Sequence, residues 1–313
     1  MNRKDRKLQK QKMRRERPTL PSLSRFTSER MLHEIHQAME GREFANVEEM
    51  NSFLQTLMGE GLERALENKP RKDPQWRAQE LAYQAMEAES ASQAEALARR
   101  ALEVDPDCVD ALTTLAEVTA GSEEELLLML RRAVEAGERS LGREFIEENR
   151  GHFWGITKTR PYMRARYHLT SALLSADRIA EACGHFEALL EFNPNDNQGV
   201  RDVLLSLYLM VDSLDGARRL LKQYAEDGSA LFSWGRVLER HLSRDVYGAS
   251  TALKEARREN RYVEKYLTGK KQQPLRLPDY YSRGEESEAV YCAFHLGLAW
   301  RLHPQAVNWL KSV

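Results

Sequence analysis

The chain has 313 residues, with 47 Lys and Arg against 48 Asp and Glu and only 17 Gly and 10 Pro, so it can bury a sizeable core and is composed for helix rather than sheet. It contains no apolar run of the roughly 18 residues that a membrane-spanning helix needs, and its basic start, MNRKDRKLQKQKMRRERP, lacks the apolar segment of a secretory signal. Cys108, Cys183 and Cys292 are far apart and odd in number, which suits buried thiols in a cytoplasmic protein better than a disulfide frame or a metal site.

Charge is distributed unevenly. Residues 1–17 carry nine Lys and Arg, among them Arg3, Lys4, Arg6, Lys7, Arg14 and Arg15, against Asp5 and Glu16, giving +7 and leaving −8 for the remainder. Residues 1–25 therefore read as a disordered basic arm. A solvated tail and contact with a polyanion such as RNA or the ribosome both fit that composition.

After Pro18 and Pro21 a helical pattern begins near Ser28, with Met31, Leu32, Ile35 and Met39 on one face, and Gly41 ends it. A second amphipathic stretch from Asn46 presents Val47, Met50, Phe53, Leu54, Leu57 and Met58. The two read as an N-terminal helical cap over 26–60, followed by a linker at 61–73. His33 and His36 have a spacing that permits metal ligation, but no carboxylate or Cys pair completes a site, so they read as surface histidines.

From Pro74 the pattern becomes periodic. Ala78, Leu81, Ala82 and Ala85 face Ala94, Leu97, Ala98 and Ala101 across a break near Ser90–Ser92, and Pro106 closes the unit. A second unit follows from Cys108, broken at Gly121 and Ser122, with Glu125 at capping-box spacing from Ser122. Residues 137–160 then interrupt the period. The third unit, with Leu169, Leu173, Ala182, Phe186, Leu189 and Pro194, is the most regular. Pro106 and Pro194 are 88 residues apart, which fits two repeats of about 34 residues plus an insertion of about 20. A fourth unit and a weaker fifth carry the array to residue 268. Residues 269–313 read as an irregular segment followed by a C-terminal capping helix over about 285–312.

Ala182, Phe186 and Pro194, with Ala82, Ala94, Ala101 and Pro106, resemble tetratricopeptide repeats. GHFWGITKTRPYMRAR and the later FNPNDNQGVR also resemble bacterial relatives of the suppression of tumorigenicity 7 family, over roughly residues 75–310. The resemblance implies an all-α fold: an α-solenoid, a right-handed superhelix of helix pairs with helical caps at both ends and a concave groove lined by the first helix of each pair. In such an array the third and fourth units would present Arg164, Tyr167, Ser171, Gln198, Arg201, Leu205 and Tyr208 to the groove, with Asn197 at the turn. Arg offers bidentate recognition of carboxylates and Tyr amphipathic contact area, so the expected partner is an extended protein or peptide segment.

His152, Trp154 and Arg160 belong to the junction after the insertion. The aromatics there read as a plug between the insertion and the third unit, with a ligand pocket as the alternative. The remaining histidines have no Ser, Cys or carboxylate partner at a meaningful spacing, and the chain holds no GxSxG, P-loop, HExxH or paired CxxC. The expectation is a non-catalytic scaffold with no cofactor and no metal. The alternative is an RNA- or ribosome-associated protein that uses its basic arm.

Overall fold

The computed structural model describes residues 26–39, 42–56, 73–274, 277–278 and 280–313. The basic arm, with Arg3, Lys4, Arg6, Lys7, Arg14 and Arg15, and all but the last residue of the linker at 61–73 lie outside the described residues. Among the described residues the structure is all-helical, with sixteen α-helices, two short 3-10 turns and no strand. The chain divides into two compact units, Met1–Val118 and Thr119–Val313.

The first unit contains α1 (Thr27–Met39), α2 (Val47–Thr56), α3 (Pro74–Met86), α4 (Ala91–Val104) and most of α5 (Val109–Thr119). Asp73 caps α3 by accepting from the Gln75 N–H at 3.0 Å, with Pro74 at the first helical position. Ser90 caps α4 in the same way, accepting from the Gln93 N–H at 3.2 Å. Ala78, Ala82, Ala85, Ala98 and Ala101 are buried between the two helices. Side chains this small let the backbones approach closely. Asp105 is extended ahead of Pro106, and α4 ends there. α1 docks on α3 through aromatic contacts: Phe26 stacks on Tyr83 at 4.6 Å and His33 on Trp76 at 3.6 Å. His33 is therefore a packed residue and not the surface histidine that its spacing suggested.

The second unit begins with α6 (Glu123–Leu141), followed by α7 (Arg143–Glu148) and 3-10 turns at Phe153–Gly155 and Thr157–Thr159. Ser122 caps α6, but the Glu125 carboxylate accepts from the Gly121 N–H at 2.8 Å instead of closing the expected box on Ser122. Three helix pairs come next: α8 (Arg160–Ser175) with α9 (Ile179–Phe192), α10 (Val200–Met210) with α11 (Leu214–Gln223), and α12 (Ala230–Leu242) with α13 (Val246–Glu259). α8 also packs on α6, α9 on α10, and α10 on α12.

The turns inside these pairs share one geometry. Asp177, Asp212 and Arg244 are left-handed, with φ of 55°, 56° and 61°. The following N–H groups, of Arg178, Ser213 and Asp245, bond the carbonyls of Leu173, Tyr208 and Arg240 at 2.8, 2.8 and 3.0 Å. This closure satisfies carbonyls that a helix end would otherwise leave open. The three residues lie 35 and 32 positions apart, so the same closure recurs at a similar spacing.

α14 (Val263–Leu267), α15 (Glu286–Leu302) and α16 (Pro304–Ser312) complete the chain. The expected single capping helix is two helices, broken at Pro304, which cannot continue α15. α15 lies across α10, α12 and α14. It buries Ala289, Cys292, Ala293, Leu296, Ala299 and Trp300, with Trp300 edge-on to Trp234 at 6.4 Å. These contacts cover much of a helix that is apolar around most of its circumference, while Phe294, Leu298 and Leu302 along one side stay exposed. Both ends of α15 are fastened. The buried Glu288 accepts from the Ala230 N–H at 2.9 Å and from Asn260 at 3.0 Å, while His303 Nε2 lies 2.8 Å from the Leu209 carbonyl.

Candidate ligand-binding face

The first helices of the three pairs have different surroundings. α15 packs on α10 and α12, whereas α8 is held by α6 and α9. Along α8 the apolar positions Met163, Ala165, Leu169, Ala172 and Leu173 are buried. Arg164 is half-buried, and Tyr167, Ser171 and Ser175 are exposed, Tyr167 by 37 %. Residues three, four and seven apart fall on one side of a helix, so these four share the solvent face of α8. Asn197 is exposed in the turn before α10, and that turn is tied to α8 by Gln198, whose Nε2 donates to the Met163 carbonyl at 3.4 Å.

The two residues expected from α10 are engaged inside the fold. The Arg201 guanidinium bonds Asp227 at 2.8 Å, sits 3.8 Å from Asp196 and lies 4.9 Å over the Tyr224 ring. Both carboxylates are buried, so the arginine supplies the charge they need. Tyr208 is 6 % exposed and donates to Glu187 on α9, and burial raises its hydroxyl above its ordinary value. Its ring fits because α11 places Gly216 beneath it. A Cβ there would lie 2.8 Å from the ring. Tyr208 thus faces the second helices of its pair and the preceding one, on a different side of α10 from α15. Leu205, expected beside it in the groove, is fully buried.

Asp202 marks the contact between α10 and α15. Tyr291 donates to its Oδ2 at 2.9 Å, and burial pushes the carboxyl up to about 6, against the opposing effects of that bond and of Arg201. A carboxylate that titrates near neutrality at a helix–helix contact makes this contact sensitive to pH.

The junction after the insertion is packed. Gly151, at φ 88°, makes the turn that a residue with a side chain would resist. Phe153 is fully buried, stacked on Phe192 at 4.5 Å and edge-on to Tyr162 at 6.2 Å. Arg160 donates to the Trp154 carbonyl at 3.1 Å and lies over its ring at 5.2 Å. His152 is exposed at the edge of this plug. His185 is held neutral: burial, then Arg166 and Arg131, lower it to about 4, and its Nδ1 accepts from Arg166 at 3.1 Å.

Among the described residues no group of three or more His, Cys, Asp and Glu is arranged to hold a metal ion, and no helix is long and apolar enough to cross a membrane. All three cysteines are free and buried, and burial pushes the Cys108 thiol up to about 12 and that of Cys183 up to about 11. Sequence reasoning missed two features, the placement of α15 over α10 and α12 and the cavity that Arg244 shares with His303. The all-round apolar character of 286–302 is the signal for the first. Nothing in the sequence pairs residues 244 and 303. In comparison with known proteins, the chain matches no family model and no curated protein.

Proposed function

We propose that this chain is a non-catalytic scaffold, an α-solenoid of tetratricopeptide-like helix pairs that binds an extended protein segment along the solvent face of α8. The observation that carries the reading is the asymmetry among the first helices. α15 covers α10 and α12, while α8 keeps Arg164, Tyr167 and Ser171 along one open side with Asn197 at its edge. A tyrosine gives a segment of that kind a rigid amphipathic anchor, and an arginine gives it a charged one. Arg201 and Tyr208 enter this reading as supports of the wall and not as contacts. The three buried free thiols suit a reducing compartment, and we assign the scaffold to the cytoplasm on that ground.

The test is affinity purification from the native host with the wild-type chain and with Tyr167→Ala combined with Ser171→Arg, both exposed positions. The variant should melt like the wild type and lose the partner. Unchanged recovery of the same partner by the variant would overturn the reading.

A further inference from the structure

The turn between α12 and α13 repeats the turns at 177 and 212 with one change of residue. Left-handed backbone is tolerated by aspartate, which fills both earlier turns, and at the third turn the position is held by Arg244 at φ 61°. The negative end of α12 favours a cation at this place, and the left-handed backbone is the cost of holding a long side chain there, which points to a use for it. Nearby arginines are paired, Arg240 with Asp245 and Arg218 with Glu239, each at 2.9 Å. The Arg244 guanidinium has no ion-pair partner among the described residues.

Arg244 lines a cavity of about 460 Å³ where the ends of α10, α12 and the start of α16 meet. That size suits a small molecule or the end of a chain. His241, Asp212, His303, Gln305 and Trp309 line it as well. His303 is 6 % exposed, and with its Nε2 turned to the Leu209 carbonyl at 2.8 Å its ring is fixed in the wall. Gln305 sits in the first turn of α16, whose positive end favours an anion. Trp309, 4.9 Å from the His241 ring, adds a flat apolar surface. Opposing an anion are the negative ends of α10 and α12 and the Asp212 carboxylate, which lies 3.7 Å from His303 Nε2 and is 69 % exposed, so that solvent screens it.

We infer that this cavity binds a ligand carrying an oxyanion, carboxylate or phosphate, next to a flat apolar group, with Arg244 anchoring the charge and Trp309 seating the apolar part. The site lies apart from the α8 residues above and does not depend on that reading. One chemistry here has two sources, a free small molecule or the carboxyl end of a peptide.

The full chain labelled with 5-fluorotryptophan gives a fluorine resonance for each of its five tryptophans, and Trp309→Phe identifies the one at the cavity. The probes are benzoate, phenyl phosphate and their neutral counterpart benzamide, with a short peptide ending in phenylalanine, either as the free acid or as the amide. The Trp309 resonance should move saturably with at least one anionic probe and not with its neutral twin. Arg244→Gly should weaken that binding by about tenfold or more, as expected when a charge-assisted contact is lost. Glycine accepts the left-handed turn without strain, so this variant should melt no lower than the wild type. Preference for the free-acid peptide over benzoate and phenyl phosphate would assign the site to chain ends, and the reverse to small molecules. A resonance that no anion moves, equal binding of benzamide, or undiminished binding by Arg244→Gly would each overturn the assignment.

Discussion

α8 and α10 are first helices of consecutive pairs, and each carries an Arg and a Tyr that the sequence places in one groove. Their surroundings differ. On α8, Tyr167 remains at the surface. On α10, Arg201 neutralises Asp227 and Tyr208 is sealed between Glu187 and Gly216. The residue types are alike, and the difference lies in what packs around them: buried Asp227 and Asp196 engage Arg201, and α11 supplies a glycine where Tyr208 needs room. A helix sequence fixes which side a residue occupies, while elements distant in the chain decide whether that side is open.

The contrast can be broken from the covered side. Trp300→Ala should cost about 3–5 kcal/mol, because it empties a fully buried site between α15 and α12. Denaturant unfolding measures this, and a loss below about 1 kcal/mol would mean that α15 is not an integral cover. Arg201→Glu should cost about 3 kcal/mol by leaving buried Asp196 and Asp227 uncompensated beside a new acid. The same change at an open binding face would leave the melting temperature nearly unchanged. Gly216→Ala should cost about 1–3 kcal/mol as the new methyl displaces the Tyr208 ring.

A smaller effect sharpens the account of the α10–α15 contact. The folded Asp202 carboxyl titrates near 6, above its ordinary 3.8, so the native state holds the proton more tightly than the unfolded chain. The stability it contributes is complete below about pH 4 and is lost as pH rises through 6. Asp202→Asn keeps an acceptor for Tyr291 and removes the buried charge. It should raise stability by about 1–2 kcal/mol at pH 7.5, with the gain vanishing near pH 4. Equal gain at both pH values would refute that cause. The smallest effect belongs to the open side: Tyr167→Ala should change stability by less than about 0.5 kcal/mol, as measured by thermal melting.

Much of the architecture was legible from the residues. Alternating small and large apolar positions in 74–104 mark the α3–α4 pair, and Ser90, Ser122, Pro106 and Pro194 mark helix ends by mechanisms that act within a few residues. The junction plug was also readable, because Gly151 and the aromatics after it are contiguous. What depended on distant partners was not legible. Tyr208 is buried by Gly216 and Glu187, and Arg201 is claimed by Asp227, none of which its own helix announces. His33 has the look of a surface residue until Trp76, more than forty positions on, is placed against it.

The most direct test of the account compares two exposed tyrosines, Tyr167 on the first helix α8 and Tyr247 on the second helix α13. Each is replaced by the photo-crosslinking amino acid benzoylphenylalanine in the native host, and the adducts are read by gel shift and mass spectrometry. A specific protein adduct is expected from position 167 and none from position 247. Adducts at 247 with none at 167 would contradict it.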